Sequence, residues 1–122
     1  MKLFITGATG FLGSYVLQAA LAREHECFCL ARQVQGRDLP EHPQLKWLEG
    51  NLSDDWTSVF SEVDVLLHLA ATGVSPQKAT REAYFQINVT DSLMMVDAAV
   101  SAGVKKVVVA GSCYEYGASG DR

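Results

Sequence analysis

A chain of 122 residues, 48% of them apolar, is one domain long and able to bury a modest core, which argues against several independent units. A net charge of -4 with no Lys/Arg run excludes the electrostatic footprint of a nucleic-acid or anionic-membrane binder. Three cysteines, with Cys27 and Cys29 read on opposite faces of one strand, make no disulfide framework. Gly7 and Gly10 interrupt the first apolar run and no segment reaches membrane-span length, so the cytoplasm is the expected compartment.

Leu3 to Thr6 reads as a buried strand. Leu12, Val16, Ala19 and Ala20 then fall at helical spacing, which predicts a helix running to about Glu24 with those residues facing the core. Glu26 to Ala31 is a second apolar strand, followed by a loop over 32–44 that contains Gly36, Pro40 and Pro43. Leu45 to Glu49 is a short third strand, and a weak helix is expected around 54–60. Val63 to Leu69 is nearly all apolar, as suits a parallel strand covered on both faces.

A long helix is expected from the Ser75-Pro76 cap to Gly103. Its two apolar stripes, Val89/Leu93/Val96/Val100 and Ala83/Ile87/Met94/Ala98, imply burial on more than one side. Lys105 to Ala110 is the fifth strand. Alternating strands and helices joined by right-handed crossovers predict an α/β Rossmann-type, doubly wound parallel sheet of order 3-2-1-4-5. Residues 1–122 are expected to be the N-terminal part of such a domain, cut short before its second half, with strand five left as an apolar edge.

In such sheets ligands bind beyond the carboxyl ends of the strands. There the sequence places Gly7, Thr9, Gly10, Phe11, Leu12 and Gly13 after strand one, and Arg32 after strand two. Asn51 and Leu52 follow strand three, Leu69, Ala70 and Ala71 close strand four, and Gly111-Ser112 follow strand five. A side-chain-poor turn entering a helix lets backbone N–H groups and the positive helix end face a pyrophosphate, although a GxxGxxG triplet alone is a weak signal. Strand two ends without the acid that usually binds the ribose of NAD, and Arg32 stands there instead. NADP is therefore preferred over NAD, the alternative being an Arg32 that is solvated or stacks on adenine. No metal site is expected. His68 reads as a strand residue with a satisfied imidazole.

The motifs TGATGFLG (6–13), GNLSD (50–54), HLAA (68–71), INVTDSL (87–93) and GSCYEYG (111–117) resemble, in order and spacing, the extended short-chain dehydrogenase/reductases. Within them the likeness is to the NAD(P)-dependent sugar-nucleotide epimerases, dehydratases and reductases. The resemblance implies that the glycine turn holds the pyrophosphate and that Asn51 and Leu52 meet adenine. It implies that Ala70 and Ala71 line the path to the nicotinamide and that Ser112 binds the reacting oxygen of a nucleotide-sugar substrate. It also implies a homodimer joined through the long helix. The family's Tyr-x-x-x-Lys pair is not found: four residues after Tyr15, Tyr84, Tyr114 and Tyr116 stand Ala19, Asn88, Ala118 and Gly120. The chain alone is therefore expected to be inactive, and the rival expectation is a noncatalytic NADP(H)-binding sensor or partner-binding module.

Overall fold

A computed structural model describes residues 1–70 and 86–110. Its five strands run parallel in the order β3-β2-β1-β4-β5, as the alternation of elements predicts. β1 (Lys2–Thr6) lies at the centre, between β2 (Glu26–Ala31) and β4 (Val65–His68). Phe4, Ile5 and Thr6 of β1 have no exposed surface. Residues of a strand alternate between faces, so β1 feeds two cores. Leu3 and Ile5 join Leu17, Ala20, Cys27, Cys29 and Val65 on one side of the sheet. Phe4 joins Phe60, Leu66, Met95 and Ala99 on the other.

Cys27 and Cys29 therefore share one face rather than lying on opposite faces, because residues two apart in a strand point the same way. Both are free thiols, and burial pushes Cys29 up to about 12, which leaves it unreactive at neutral pH.

Helix α1 (Phe11–Ala22) buries Gly13, Leu17 and Ala20, a line displaced from the expected one. Leu12 is 53% exposed, Ala19 is exposed and Val16 is only partly covered. The reason is Gly13, which carries no apolar weight but makes the tight contact that sets the helix rotation. The helix also stops earlier than expected, in a Schellman turn: Glu24 N–H donates to the Leu21 carbonyl at 3.0 Å and His25 N–H to the Ala20 carbonyl at 3.1 Å. Glu24 sits at φ 65, in the left-handed region.

β3 (Leu45–Glu49) matches its expected bounds and pairs with β2. The weak helix shrinks to α2 (Thr57–Phe60), because Asp54 and Asp55 accept backbone N–H groups of Asn51 and Thr57 instead of entering a helix. Phe60 packs on Phe4 with ring centroids 4.8 Å apart. β4 and β5 (Lys106–Val109) are shorter than their apolar runs, and Val108 and Val109 of edge strand β5 are exposed.

The single long helix is also revised where it is described. A π-helical turn, Gln86–Asp91, leads into α3 (Ser92–Ser101), and the expected stretch before Gln86 lies outside the described residues. Asp91, Met95 and Ala99 face the core, whereas Val89, Leu93, Met94 and Val100 of the expected stripes are exposed. The core-facing line runs at intervals of four through Asp91, Met95 and Ala99, so the flanking apolar residues point outward. Among the described residues no helix is long and apolar enough to cross a membrane.

Candidate functional site

The backbone leaves β1 at Thr6 and turns at Gly7, whose φ of +75 favours glycine. A Cβ at Gly7 would stand 2.7 Å from the amide nitrogen of Ala70, so the turn lies directly against the end of β4. A Cβ at Gly13 would overlap the Gly7 carbonyl. Gly10 is different: its Cβ would meet only that carbonyl, at 3.3 Å, and the position is exposed. Packing thus requires glycine at Gly7 and Gly13, while at Gly10 a Cβ would be tight against one backbone carbonyl only.

Gly10 is also the N-cap of α1, with no side-chain cap and no acid in the first turn. Its N–H donates to the Gly7 carbonyl at 3.1 Å, which closes the turn. The helix therefore presents a first turn without a capping side chain at the carboxyl edge of the sheet, where orphan N–H groups and the helix dipole favour an anion. Thr9, Phe11 and Leu12 are exposed around it, Phe11 by 83%. Phe11 packs edge-on against Tyr15.

Beneath the turn lies a buried polar relay. The Thr6 hydroxyl accepts from the N–H groups of Leu69 and Ala70, each at 3.0 Å. It is 2.7 Å from His68 Nδ1, and His68 Nε2 is 2.6 Å from the Ser92 hydroxyl. Leu69 N–H is shared with the Thr6 carbonyl at 3.2 Å, and with both amides on the hydroxyl oxygen its proton goes to Nδ1. The imidazole is then neutral, carries its proton on Nε2 and donates to Ser92. Burial also pushes the His68 pKa down, in keeping with a neutral ring. The relay ties together the ends of β1 and β4 and the start of α3.

On the β2 side, Leu30 pairs with Thr6, so exposed Arg32 stands two residues beyond the last β1 pairing. Glu49 accepts the Val34 N–H at 2.8 Å and so holds the start of the loop that follows Arg32. Exposed Asn51 has its N–H bonded to Asp54 at 2.8 Å and its carbonyl to Trp56 Nε1 at 2.9 Å. Leu52 packs partly into the core.

Gly7, Thr9, Gly10, Phe11, Leu12 and Gly13 therefore gather with Leu69 and Ala70 at the centre of the carboxyl edge, and Arg32, Asn51 and Leu52 follow the neighbouring strands. Ala71 and Ser112 lie outside the described residues. Sequence reasoning gave no role to Thr6 or Ser92. The available signal was a threonine and a histidine closing two strands that the topology makes neighbours. Among the described residues no cluster of His, Cys, Asp or Glu could hold a metal ion.

Residues 3–122 match the model of the NAD dependent epimerase/dehydratase family. The chain belongs to that family. It is 28% identical over 118 residues to a 3-beta-hydroxysteroid dehydrogenase of Mycolicibacterium neoaurum, covering 91% of this chain and 32% of the relative. It is 30% identical to a UDP-glucose 4-epimerase of Klebsiella pneumoniae, covering 96% of this chain and 93% of that sequence. Among solved structures it resembles MoeE5 in complex with UDP-glucuronic acid and NAD, with a TM-score of 0.82, 31% identity, and coverage of 96% of this chain and 38% of that one. The chain spans about a third of the length of several curated relatives. The family's relatives include epimerases and dehydrogenases, and an NAD-binding domain of this kind fits the glycine turn that enters α1 with no side-chain cap and no acid in its first turn.

Proposed function

We propose that residues 1–122 form the dinucleotide-holding domain of an NAD(P)-dependent enzyme that epimerises, dehydrates or reduces a nucleotide sugar. One observation carries this reading: α1 begins uncapped and free of acid, at a glycine turn packed against the backbone of Ala70. The first-turn N–H groups near Gly10, Phe11, Leu12 and Gly13 would hold the pyrophosphate, with Thr9 at the rim. With no side chain at exposed Gly10, the phosphates could approach the backbone. Asn51 and Leu52 would border adenine, and Leu69, Ala70 and Ala71 the path to the nicotinamide. Ser112 would bind the substrate oxygen. Once bound, the cofactor accepts or returns a hydride at a sugar carbon.

Arg32 supports NADP over NAD, since a guanidinium at the end of strand two offers charge-assisted hydrogen bonds to a 2′-phosphate. The solved relatives reported with NAD keep that cofactor open as well. In a dimer, exposed Leu93, Met94 and Val100 would meet a second copy. The free thiols Cys27 and Cys29 support a cytoplasmic setting. Because no lysine stands four residues after any tyrosine, this chain alone supplies no proton relay of the family's kind and is expected to turn over nothing. The same feature favours a second reading, a noncatalytic NADP(H)-binding module.

Calorimetric titration with NADPH and NADH tests the binding. The expected result is tighter binding of NADPH, with a preference that falls about tenfold in Arg32→Ala. Equal affinities unchanged by the substitution would remove the NADP argument, and no binding of either cofactor would remove the reading itself.

A further inference from the structure

The buried relay does more than fill space, because the Thr6 hydroxyl accepts two amides and donates to His68. Thr6 directly precedes the turn, and its hydroxyl gathers the amides of Leu69 and Ala70, the second of which belongs to the peptide against which Gly7 packs. That oxygen keeps both amides only while its own proton has an acceptor at His68 Nδ1. We propose that neutral His68 is a positioning residue for the dinucleotide turn, and that its protonation loosens the turn and makes cofactor binding weaken in acid.

An imidazolium has N–H on both ring nitrogens. Nδ1–H would then face the Thr6 hydroxyl proton across a buried contact of 2.7 Å. To accept from Nδ1–H, Thr6 must turn its hydroxyl, and the cost falls at Ala70: Leu69 N–H keeps the Thr6 carbonyl at 3.2 Å, whereas among the described residues the Ala70 amide beside Gly7 has only the hydroxyl oxygen, whose own proton also loses its acceptor. Nε2, already a donor to Ser92, needs no change, so the disturbance is directed at the cofactor turn rather than at α3.

Among the described residues, the elements packed on His68 bring few other charges. β1 contributes Thr6 and β5 pairs through Val109, and neither titrates. Lys2 and Lys106 stand at the opposite ends of β1 and β5. On α3, Asp97 is exposed, and the buried acid Asp91 lies one residue before Ser92. The His68 pKa is lowered, with burial as its cause, so the neutral ring is the resting state near neutrality and the change falls below the usual histidine range.

This inference rests on the dinucleotide-binding reading, and its test separates the two. NAD is titrated into the protein by calorimetry at about pH 7.5 and about pH 5, and the ring of His68 is followed by NMR with and without NAD. NAD suits the comparison because it lacks a 2′-phosphate that would itself titrate. Expected are an Nε2–H tautomer and affinity about tenfold weaker in acid. By linkage, saturating NAD lowers the His68 pKa by about one unit. His68→Asn, which puts an amide oxygen near the Nδ1 position and takes up no proton, should bind with a flat pH profile. If that variant folds poorly, the ring titration of the wild-type protein decides. An Nδ1–H tautomer, or a His68 pKa unmoved by bound NAD, overturns the inference and leaves the binding reading intact. Absence of NAD binding at about pH 7.5 overturns both.

Discussion

At the N-terminal ends of β1 and β2, the amine of Lys2 and the carboxylate of Glu26 stand 3.9 Å apart, their side chains 45% and 51% exposed. Asp64 accepts the Lys2 N–H nearby, at 2.9 Å, and the shallow groove there is lined by Glu24, Glu26, Glu62 and Asp64. At the C-terminal ends of β1 and β4, by contrast, Thr6 and His68 are buried and fully bonded without a formal charge. The first end satisfies its polar groups partly with water and tolerates change. The second satisfies them with each other and constrains the backbone that meets the anion. The four acids of the groove outnumber the Lys2 amine and the Met1 terminus beside them and repel a pyrophosphate, whereas the uncapped helix end attracts one.

The comparison breaks most sharply at Gly13→Ala. Its Cβ would overlap the Gly7 carbonyl, so we expect a loss of about 3 kcal/mol in denaturant unfolding, together with loss of cofactor binding. Next is Thr6→Val, which keeps the shape but leaves the Ala70 amide and His68 Nδ1 without the hydroxyl, while Leu69 N–H keeps the residue-6 carbonyl, with an expected cost of about 2 kcal/mol. At the solvated end the expected effects are smaller. Glu24→Gly relieves a left-handed residue in the Schellman turn and should stabilise by about 1 kcal/mol, read as a raised melting temperature. Lys2→Ala should change stability by less than about 0.5 kcal/mol, because its ion pair is exposed and screened. A large loss from Lys2→Ala alongside a neutral Thr6→Val would reverse the contrast.

Much of the fold was legible because each strand is a compact apolar run closed by a turn residue. β2 and β3 match their expected bounds, and the order of the sheet follows from alternation and crossover handedness. The helices were read less well, because apolar counting favours bulk. Gly13 fixes the rotation of α1 through close backbone approach, and the core-facing line into α3 runs through Asp91, Met95 and Ala99 while Leu93 and Met94 stay outside. The π-helical turn before α3 leaves no periodic signature of its own. At the site, the glycines are visible in sequence because their spacing is local. The relay is not, since Thr6 and His68 are 62 positions apart and meet only once β1 and β4 are paired.

The most direct test is an amide-resolved NMR titration of the chain with NAD. The account predicts that the N–H signals of Gly10 to Gly13, Leu69 and Ala70 shift together with one affinity, while those of Lys2, Glu26 and Asp64 stay in place. Shifts confined to the acidic end, or a uniform absence of shifts at saturating NAD, would contradict it.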